Sequence, residues 1–394
     1  MSKRFLTTLL TLVVIGLSAV VAIFLAKGYR LSPDTKTVSG TGILSITSIP
    51  DQASVYLDGH LTTATNDNIN SLPPKVYKVR IVKEGFIPWE KDEEVKAGFV
   101  TDVKATLFRS IPSIYPLTYT GAVNPVLSPD GQKLIYEVPV LQNANPLELK
   151  RAGLWVWQMS SERAISLNRG AEPHQIAQNI PGLDFTKGQF KWSPDSSQVM
   201  VTFADRVLLL DTNRFNDLPK DITATAGSTN KQWENDQKAK DTVRLALIKD
   251  MGIRKEASSA AFLKWAPDDS KFMYSKDGKD NFKVVNLGAG KDAVSARQVG
   301  LPQNKGIYSW LADSDHLILV ETQSDIPENE ISLGGIPGKI SILEYDGFNK
   351  SEIYAGNFNP DAVFAWPDSS RLVILSSVPT ATASEPNLFG INLK

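Results

Sequence analysis

A motif that recurs five times between residues 126 and 375 limits what this 394-residue chain can fold into more than any other feature. Its copies are Leu127-Ser128-Pro129-Asp130-Gly131, Trp192-Ser193-Pro194-Asp195-Ser196, Trp265-Ala266-Pro267-Asp268-Asp269, Trp310-Leu311-Ala312-Asp313-Ser314 and Trp366-Pro367-Asp368-Ser369. Each follows a short apolar stretch and leads into another, such as Leu134-Ile135-Tyr136 or Leu372-Val373-Ile374-Leu375. Proline presets φ for a turn, and an aspartate side chain accepts hydrogen bonds from backbone N–H groups two residues on. Each copy is therefore predicted to be a hairpin, with Trp192, Trp265, Trp310 and Trp366 in one equivalent slot. A third strand follows every time, at Leu154–Met159, Val207–Asp211, Phe282–Leu287, Ile340–Tyr345 and Leu388–Leu393. A short fourth comes after several of them, for example Arg163–Leu167.

Four strands in a repeat of roughly 40–45 residues are the signature of a propeller blade. The shared aspartates at 130, 195, 268, 313 and 368 lie 65, 73, 45 and 55 residues apart, so the longer repeats carry insertions. The pattern is similar to the repeat of the TolB-type, WD40-like β-propellers over residues 112–394. Leu127, Ala312 and the shortened fifth copy depart from it. The resemblance implies a rigid disc with loops on two faces, and a recognition or scaffold role rather than catalysis. Five blades are expected, or six if a divergent one lies within 213–262. The last copy ends after three strands, and an open propeller exposes an unpaired sheet edge. Ser113–Tyr119 is therefore predicted to return as the missing outer strand of the last blade.

Within this unit Lys231–Met251 alone lacks β character. Val243, Leu247 and Met251 recur at spacing four, with Leu245 and Ile248 nearby and Gly252 as a stop. A helical insertion is predicted there, over residues 230–252. Its apolar stripe has to be buried, either on a blade edge that it caps or under a docked partner.

Residues 41–108 carry a different β pattern. Ile43–Ile49 and Val76–Val82 alternate apolar with polar, Asp58-Gly59 is a hairpin turn, and Val100, Val103, Ala105 and Leu107 mark a last strand. Gly42-Ile43-Leu44-Ser45-Ile46, Ile49-Pro50-Asp51-Gln52-Ala53, Val55–Gly59, Leu72-Pro73-Pro74, Glu84-Gly85-Phe86 and Val95–Gly98 follow one another in order. This stretch resembles the PEGA domain, a small β-sandwich-like module of bacterial surface proteins. It departs from the namesake motif at Gln52, which stands where glycine is usual and tolerates positive φ less well. The resemblance implies a surface spacer or a module that binds envelope material.

At the other extreme, Phe5–Ala26 holds no charged residue and is flanked by Lys3, Arg4, Lys27 and Arg30. At about 1.5 Å per residue such a helix spans the ~30 Å core of a bilayer. The segment 5–26 is therefore predicted to be a single-pass anchor, with residues 1–4 cytoplasmic and 27–40 a linker. A cleaved secretory signal is the alternative, and under either reading residues 31–394 lie outside the cytoplasm.

Chemistry is sparse. With 42 Lys+Arg against 43 Asp+Glu there is no broad basic face for nucleic acid. The absence of cysteine excludes disulfides, thiolate catalysis and Cys-ligated metal. His60, His174 and His316 show no metal-ligand spacing, and no Gly-x-Ser-x-Gly elbow occurs. Asp58, Glu84 and Asp92-Glu93-Glu94 are expected to be turn residues and a solvated face. The loop Glu321–Gly338, with Asp325, Glu328 and Glu330, is expected to be a solvated excursion. No catalytic, cofactor-binding or metal-binding residue is predicted. The expectation is an all-β, membrane-anchored binding or scaffold protein of the bacterial cell envelope, whose partner is an envelope protein or a cell-wall glycan. The rival is a propeller enzyme, a lyase or glycoside hydrolase acting on envelope polysaccharide, which would gather acids, histidine or arginine at its innermost strands.

Overall fold

The computed structural model of the chain divides into two compact units, residues 1–111 and 112–393. It describes residues 3–26, 29–31, 38–141, 144–159, 172–288, 297–302, 306–322, 335–377 and 385–394, with side chains from 7–23 and from residue 40 onward in these ranges except at 297. The strand predicted at Arg163–Leu167 and the acidic residues Asp325, Glu328 and Glu330 fall outside them.

The expected membrane anchor is corrected. Lys3–Ala26 is helical, yet among the described residues no helix is long and apolar enough to cross a membrane. Its described side chains are those of residues 7–23. They include the hydroxyls of Thr7, Thr8 and Thr11, the last donating to the Thr7 carbonyl at 2.9 Å. The single-pass localisation falls with the anchor on which it rested.

In the first unit two sheets enclose one core. Asp67–Leu72, Gly42–Ile49 and Val100–Thr106 form a three-stranded sheet, its last pair parallel, and His60–Ala64, Ser54–Leu57, Lys75–Val82 and Trp89–Val95 form a four-stranded antiparallel one. The alternating positions Leu44, Ile46, Val55, Val79, Ile81 and Val103 meet between them. Asp58 and Gly59 make the predicted turn with φ of 49° and 85°. The Asp58 carboxylate accepts from Lys75 Nζ at 2.6 Å and from the Lys78 N–H at 3.0 Å. Gln52 keeps the left-handed conformation of the glycine it replaces, at φ 55°, a cost of about 1–2 kcal/mol.

In the second unit five four-stranded antiparallel sheets follow one another. Their first strands are Val123–Leu127, Gln189–Trp192, Phe262–Trp265, Gly306–Trp310 and Val363–Ala365. The fifth sheet takes its fourth strand from Ile114–Pro116, which pairs with Asn387–Asn392 in the register Ile114↔Ile391, as the open-edge argument requires. Gly390 permits this closure, because a Cβ there would sit 2.7 Å from the Tyr115 ring.

Strand alternation gives each sheet two apolar faces, and the faces join the sheets into a ring. Leu134 and Tyr136 of the first sheet pack on Val373 and Leu388 of the fifth. Ile135 and Val156 pack instead on Val199 and Leu210 of the second. Met273 and Val284 of the third meet Tyr308 and Leu317 of the fourth. The fourth reaches the fifth through Ser376 Oγ to the Asn357 carbonyl, 2.6 Å, and Asn359 N–H to the Leu375 carbonyl, 2.9 Å.

The recurring motif explains its own conservation of shape from sheet to sheet. Asp130, Asp195, Asp268, Asp313 and Asp368 each accept from the backbone N–H two residues on, at 2.8–3.1 Å. The residue after each aspartate, Gly131, Ser196, Asp269, Ser314 or Ser369, has φ between 57° and 70°. Register shows Ala365, paired with Leu372, where the other sheets pair Trp192 with Val199, Trp265 with Phe272 and Trp310 with Leu317. Trp366 thus lies one position beyond the shared slot and faces the other way, edge-on to Trp157 at 5.6 Å.

Between the second and third sheets stands a helical sector, longer than predicted: Ala226–Ala246 and Met251–Ser258. Trp233 packs on Met200 of the second sheet and on Ile222, just past that sheet's last strand. Leu245, Ile248 and Ala257 pack on Phe272, Tyr274 and Val285 of the third. Val243, Leu247 and Met251, the predicted stripe, are 67%, 75% and 70% exposed. Gly252 is not a stop but lies inside the second helix, whose N-terminus Asp250 caps by accepting from the N–H groups of Gly252 and Ile253. The helices occupy the place of a sixth blade.

This sector breaks a tie that other sheets make. Trp192 Nε1 donates to the Val126 carbonyl at 3.2 Å, and Trp310 Nε1 to the Lys264 carbonyl at 3.1 Å, each reaching the first strand of the preceding sheet. Trp265 faces Arg244 of the helix instead, and its buried Nε1 has no partner. Trp310→Phe is therefore expected to cost about 1–2 kcal/mol more than Trp265→Phe, because only the first loses a hydrogen bond and leaves a carbonyl unpaired. Urea unfolding of the two variants measures the difference, and equal losses would refute the tie.

Candidate functional site

Irregularities gather where the starts of three first strands meet. In the first sheet Val123 pairs with Glu137 and Val126 with Ile135, so Asn124 and Pro125 oppose a single residue in a bulge. Proline lacks the N–H that a ladder needs, and Asn124 sits in the left-handed region at φ 48°. Beneath it Glu137 is completely buried. Glu137 Oε1 accepts from Asn124 Nδ2 at 3.4 Å, while Oε2 has no partner. Burial, above all, pushes the Glu137 carboxyl up to about 9, with the nearby Asp184 charge adding to it. At neutral pH it is a protonated acid, as a buried unpaired carboxyl must be.

The second wall is a single helical turn, Phe185–Lys187. Asp184 caps it, accepting from the Thr186 N–H at 3.1 Å and the Thr186 hydroxyl at 2.8 Å. Asn179 locks the cap by donating to Asp184 at 3.3 Å and accepting from the Phe185 N–H at 3.1 Å. The third wall is the lead into the fifth sheet, where Asn359 accepts from the Asp361 N–H at 3.0 Å. Together they bound an open cleft of about 470 Å³, lined among others by Asn124, Thr186, Lys187, Gln189, Asn359 and Asp361. Its lining mixes amides and a hydroxyl, one ammonium and one carboxylate with the apolar side chains of Pro125, Val126, Phe190 and Ala362.

The residues singled out by sequence lie elsewhere. Pro129, Pro194, Pro267 and Pro367 and their aspartates are turn formers, and the tryptophans pack between sheets. His174 meets the Thr212 carbonyl at 3.2 Å, and His60 is exposed. His316 is buried against Asp313, Nδ1 to Oδ2 at 2.9 Å. Burial disfavours the Asp313 charge, but the His316 hydrogen bond and charge, with two backbone N–H groups, hold its carboxyl below the usual value. Among the described residues no group of three or more His, Asp or Glu is placed to hold a metal. Asn124 and Glu137 escaped notice, although Asn-Pro inside a strand pattern and an acid in the run Leu134–Val138 are both visible signals.

Residues 41–111 match the PEGA domain. No curated protein matches the chain. Among solved structures, TolB from Acinetobacter baumannii is 12% identical over 80% of this chain and 59% of its own, with a TM-score of 0.22. An oligogalacturonate lyase in complex with manganese is 12% identical over 80% and 74%, TM-score 0.24. The β-propeller domain of the Trilobed protease from Pyrococcus furiosus is 11% identical over 71% and 72%, TM-score 0.23. All three TM-scores are low, and the propeller-like architecture stands on this chain's own sheet order and register.

Proposed function

We propose that this is a non-catalytic binding protein whose five-sheet unit takes a polar ligand, an extended protein segment or a glycan, in the cleft beside Asn124. The observation that carries this reading is the bulged, left-handed Asn124, held from below by Glu137 and turned into the wall of the cleft. A backbone irregularity of this kind costs stability and is kept where it aims a side chain. Asn124, Thr186, Gln189 and Asn359 offer the donors and acceptors that peptide amides and sugar hydroxyls both use. Against the enzyme reading, Glu137 is the one carboxyl here poised as an acid at neutral pH, and its complete burial keeps it from a substrate. The PEGA-domain unit serves in this reading as spacer or second grip.

The whole chain is probed on peptide and glycan arrays, alongside Asn124→Ala and Gln189→Ala. Ligands held by the cleft are expected to lose about tenfold or more in affinity with either variant, the effect of removing one well-placed hydrogen bond from a desolvated contact. Ligands bound equally by all three proteins, or turned over by the parent chain, would overturn the proposal.

A further inference from the structure

The last three strands of the fourth sheet run to seven, nine and eight residues, at His316–Thr322, Ile336–Glu344 and Ser351–Phe358. Their counterparts in the third sheet, Lys271–Ser275, Lys283–Asn286 and Arg297–Gly300, have only five, four and four. The shorter sheet therefore covers only part of the longer one. Leu317 pairs with Leu343, Leu319 with Ser341 and Glu321 with Lys339, so these six side chains share one face. The three leucines lie in the core between the two sheets. Past them the same alternation continues with charge. Lys350 Nζ meets Glu321 Oε2 at 2.7 Å, and Lys339 Nζ meets Glu352 Oε2 at 2.8 Å. These two ion pairs border an open cleft of about 680 Å³. Ser341 lines it too, only 2% exposed, and no hydrogen bond among the described residues engages its hydroxyl. An apolar side chain would fill that position without penalty, whereas a buried hydroxyl is costly until something bonds to it.

We propose that this cleft is a second binding site, which takes a short peptide bearing both a free ammonium and a free carboxylate. Its charged lining is Glu321, Glu352, Lys339 and Lys350, with no surplus of either sign. A ligand with a carboxylate alone would draw a lysine from its glutamate and leave that glutamate without a counter-charge. A ligand with an ammonium alone would do the converse. A zwitterion exchanges partners and leaves no charge unmatched, because its ammonium takes the glutamate that its carboxylate has set free. The exchange is undemanding, since all four side chains reach solvent, at 28–59% exposure, and ion pairs of this kind are weak. A volume of this size suits a peptide of about two or three residues better than a single amino acid. The Ser341 hydroxyl can then donate to a peptide carbonyl or accept from a peptide N–H. The site is built from the fourth sheet alone and shares no residue with the Asn124 cleft, so either proposal can fail without the other.

The test is titration calorimetry of the whole chain with three peptides. Triglycine carries both charges, N-acetyltriglycine lacks the ammonium, and triglycinamide lacks the carboxylate. Triglycine is expected to bind saturably, and each blocked peptide about tenfold more weakly or worse. Lys339→Met together with Lys350→Met should erase the difference between triglycine and triglycinamide, because no ammonium remains to read the carboxylate. Glu321→Gln together with Glu352→Gln should likewise erase the difference between triglycine and N-acetyltriglycine. Ser341→Ala weakens triglycine by about threefold to tenfold through the loss of one hydrogen bond. Asn124→Ala leaves triglycine binding unchanged. Exposed ion pairs add little to stability, so the charge variants keep the parent melting temperature, and the blocked peptides need no variant at all. The proposal is overturned if triglycine does not bind, if either blocked peptide binds as tightly, or if both charge variants still tell the peptides apart. A loss in Asn124→Ala as large as in the lysine variant also overturns it, by placing the peptide in the other cleft.

Discussion

Asn387→Ala is expected to destabilise the five-sheet unit by about 3 kcal/mol, far more than its size suggests. Asn387 is almost fully buried beside the strand that closes the ring. Its Oδ1 accepts from the Thr118 hydroxyl at 3.0 Å and from the Gly121 N–H at 3.1 Å, and its Nδ2 donates to the Glu385 carbonyl at 3.1 Å. Thr118 in turn accepts from the Leu388 N–H at 2.9 Å. One amide thus fastens the beginning of the unit to its end. Alanine strands two donors away from water, and each such group costs about 1–3 kcal/mol. Asn392→Ala on the same strand loses a bond to Ser113 Oγ at a half-buried site, and about 0.5 kcal/mol is expected there. Urea unfolding ranks the two. Hydrogen exchange adds the location, since only Asn387→Ala should speed exchange at the Ile114 and Tyr115 amides and at Phe389–Ile391. Equal, small losses would show that closure does not depend on this amide.

Glu137→Gln is expected to act in the opposite direction. The carboxyl of Glu137 is raised in the folded chain from its ordinary 4.5 to about 9. Between these values the folded state holds a proton that the unfolded state has released, so stability is full below about pH 4.5 and falls as pH rises through 9. At ~1.4 kcal/mol per pH unit, the loss by pH 7 is on the order of 3 kcal/mol. Glutamine keeps the shape and never charges. The variant should match the parent at pH 4, exceed it by about 3 kcal/mol at pH 7, and exceed it further at pH 8. Urea midpoints across this range read the difference directly. A parent and variant that run parallel with pH would mean that Glu137 is solvated and ionised when folded.

How much of this was legible depended on whether a signal was local. The aspartate turns were, because proline, aspartate and a following residue able to take positive φ define the same turn wherever they fall. Ring closure was legible from an unpaired edge. The tryptophan slot was not fully so: deleting one residue before Asp368 moves Trp366 across the sheet, and identity alone does not report which side a residue faces. The helical sector misled for a related reason. A helix wedged between two sheets buries side chains on two of its sides, so Trp233 and Leu245 fall outside any single stripe, and the cleanest stripe marks the side left over. The apolar run near the start suggested a spanning helix, but among the described residues no helix is long and apolar enough to cross a membrane. Asn124 and Glu137 needed three dimensions, since neither means much until a bulge puts one above the other.

The chain enters the ring at Ser113 and leaves it at Asn392, and these residues are hydrogen-bonded to each other, Asn392 N–H to the Ser113 carbonyl at 3.0 Å. A ring whose two loose ends touch has no privileged starting point. It can be cut at another sheet-to-sheet connection and rejoined here, or spliced whole into a host loop, with its order of sheets intact. Seen this way the unit is a portable cassette, able to change its neighbours in a chain without relearning how to fold.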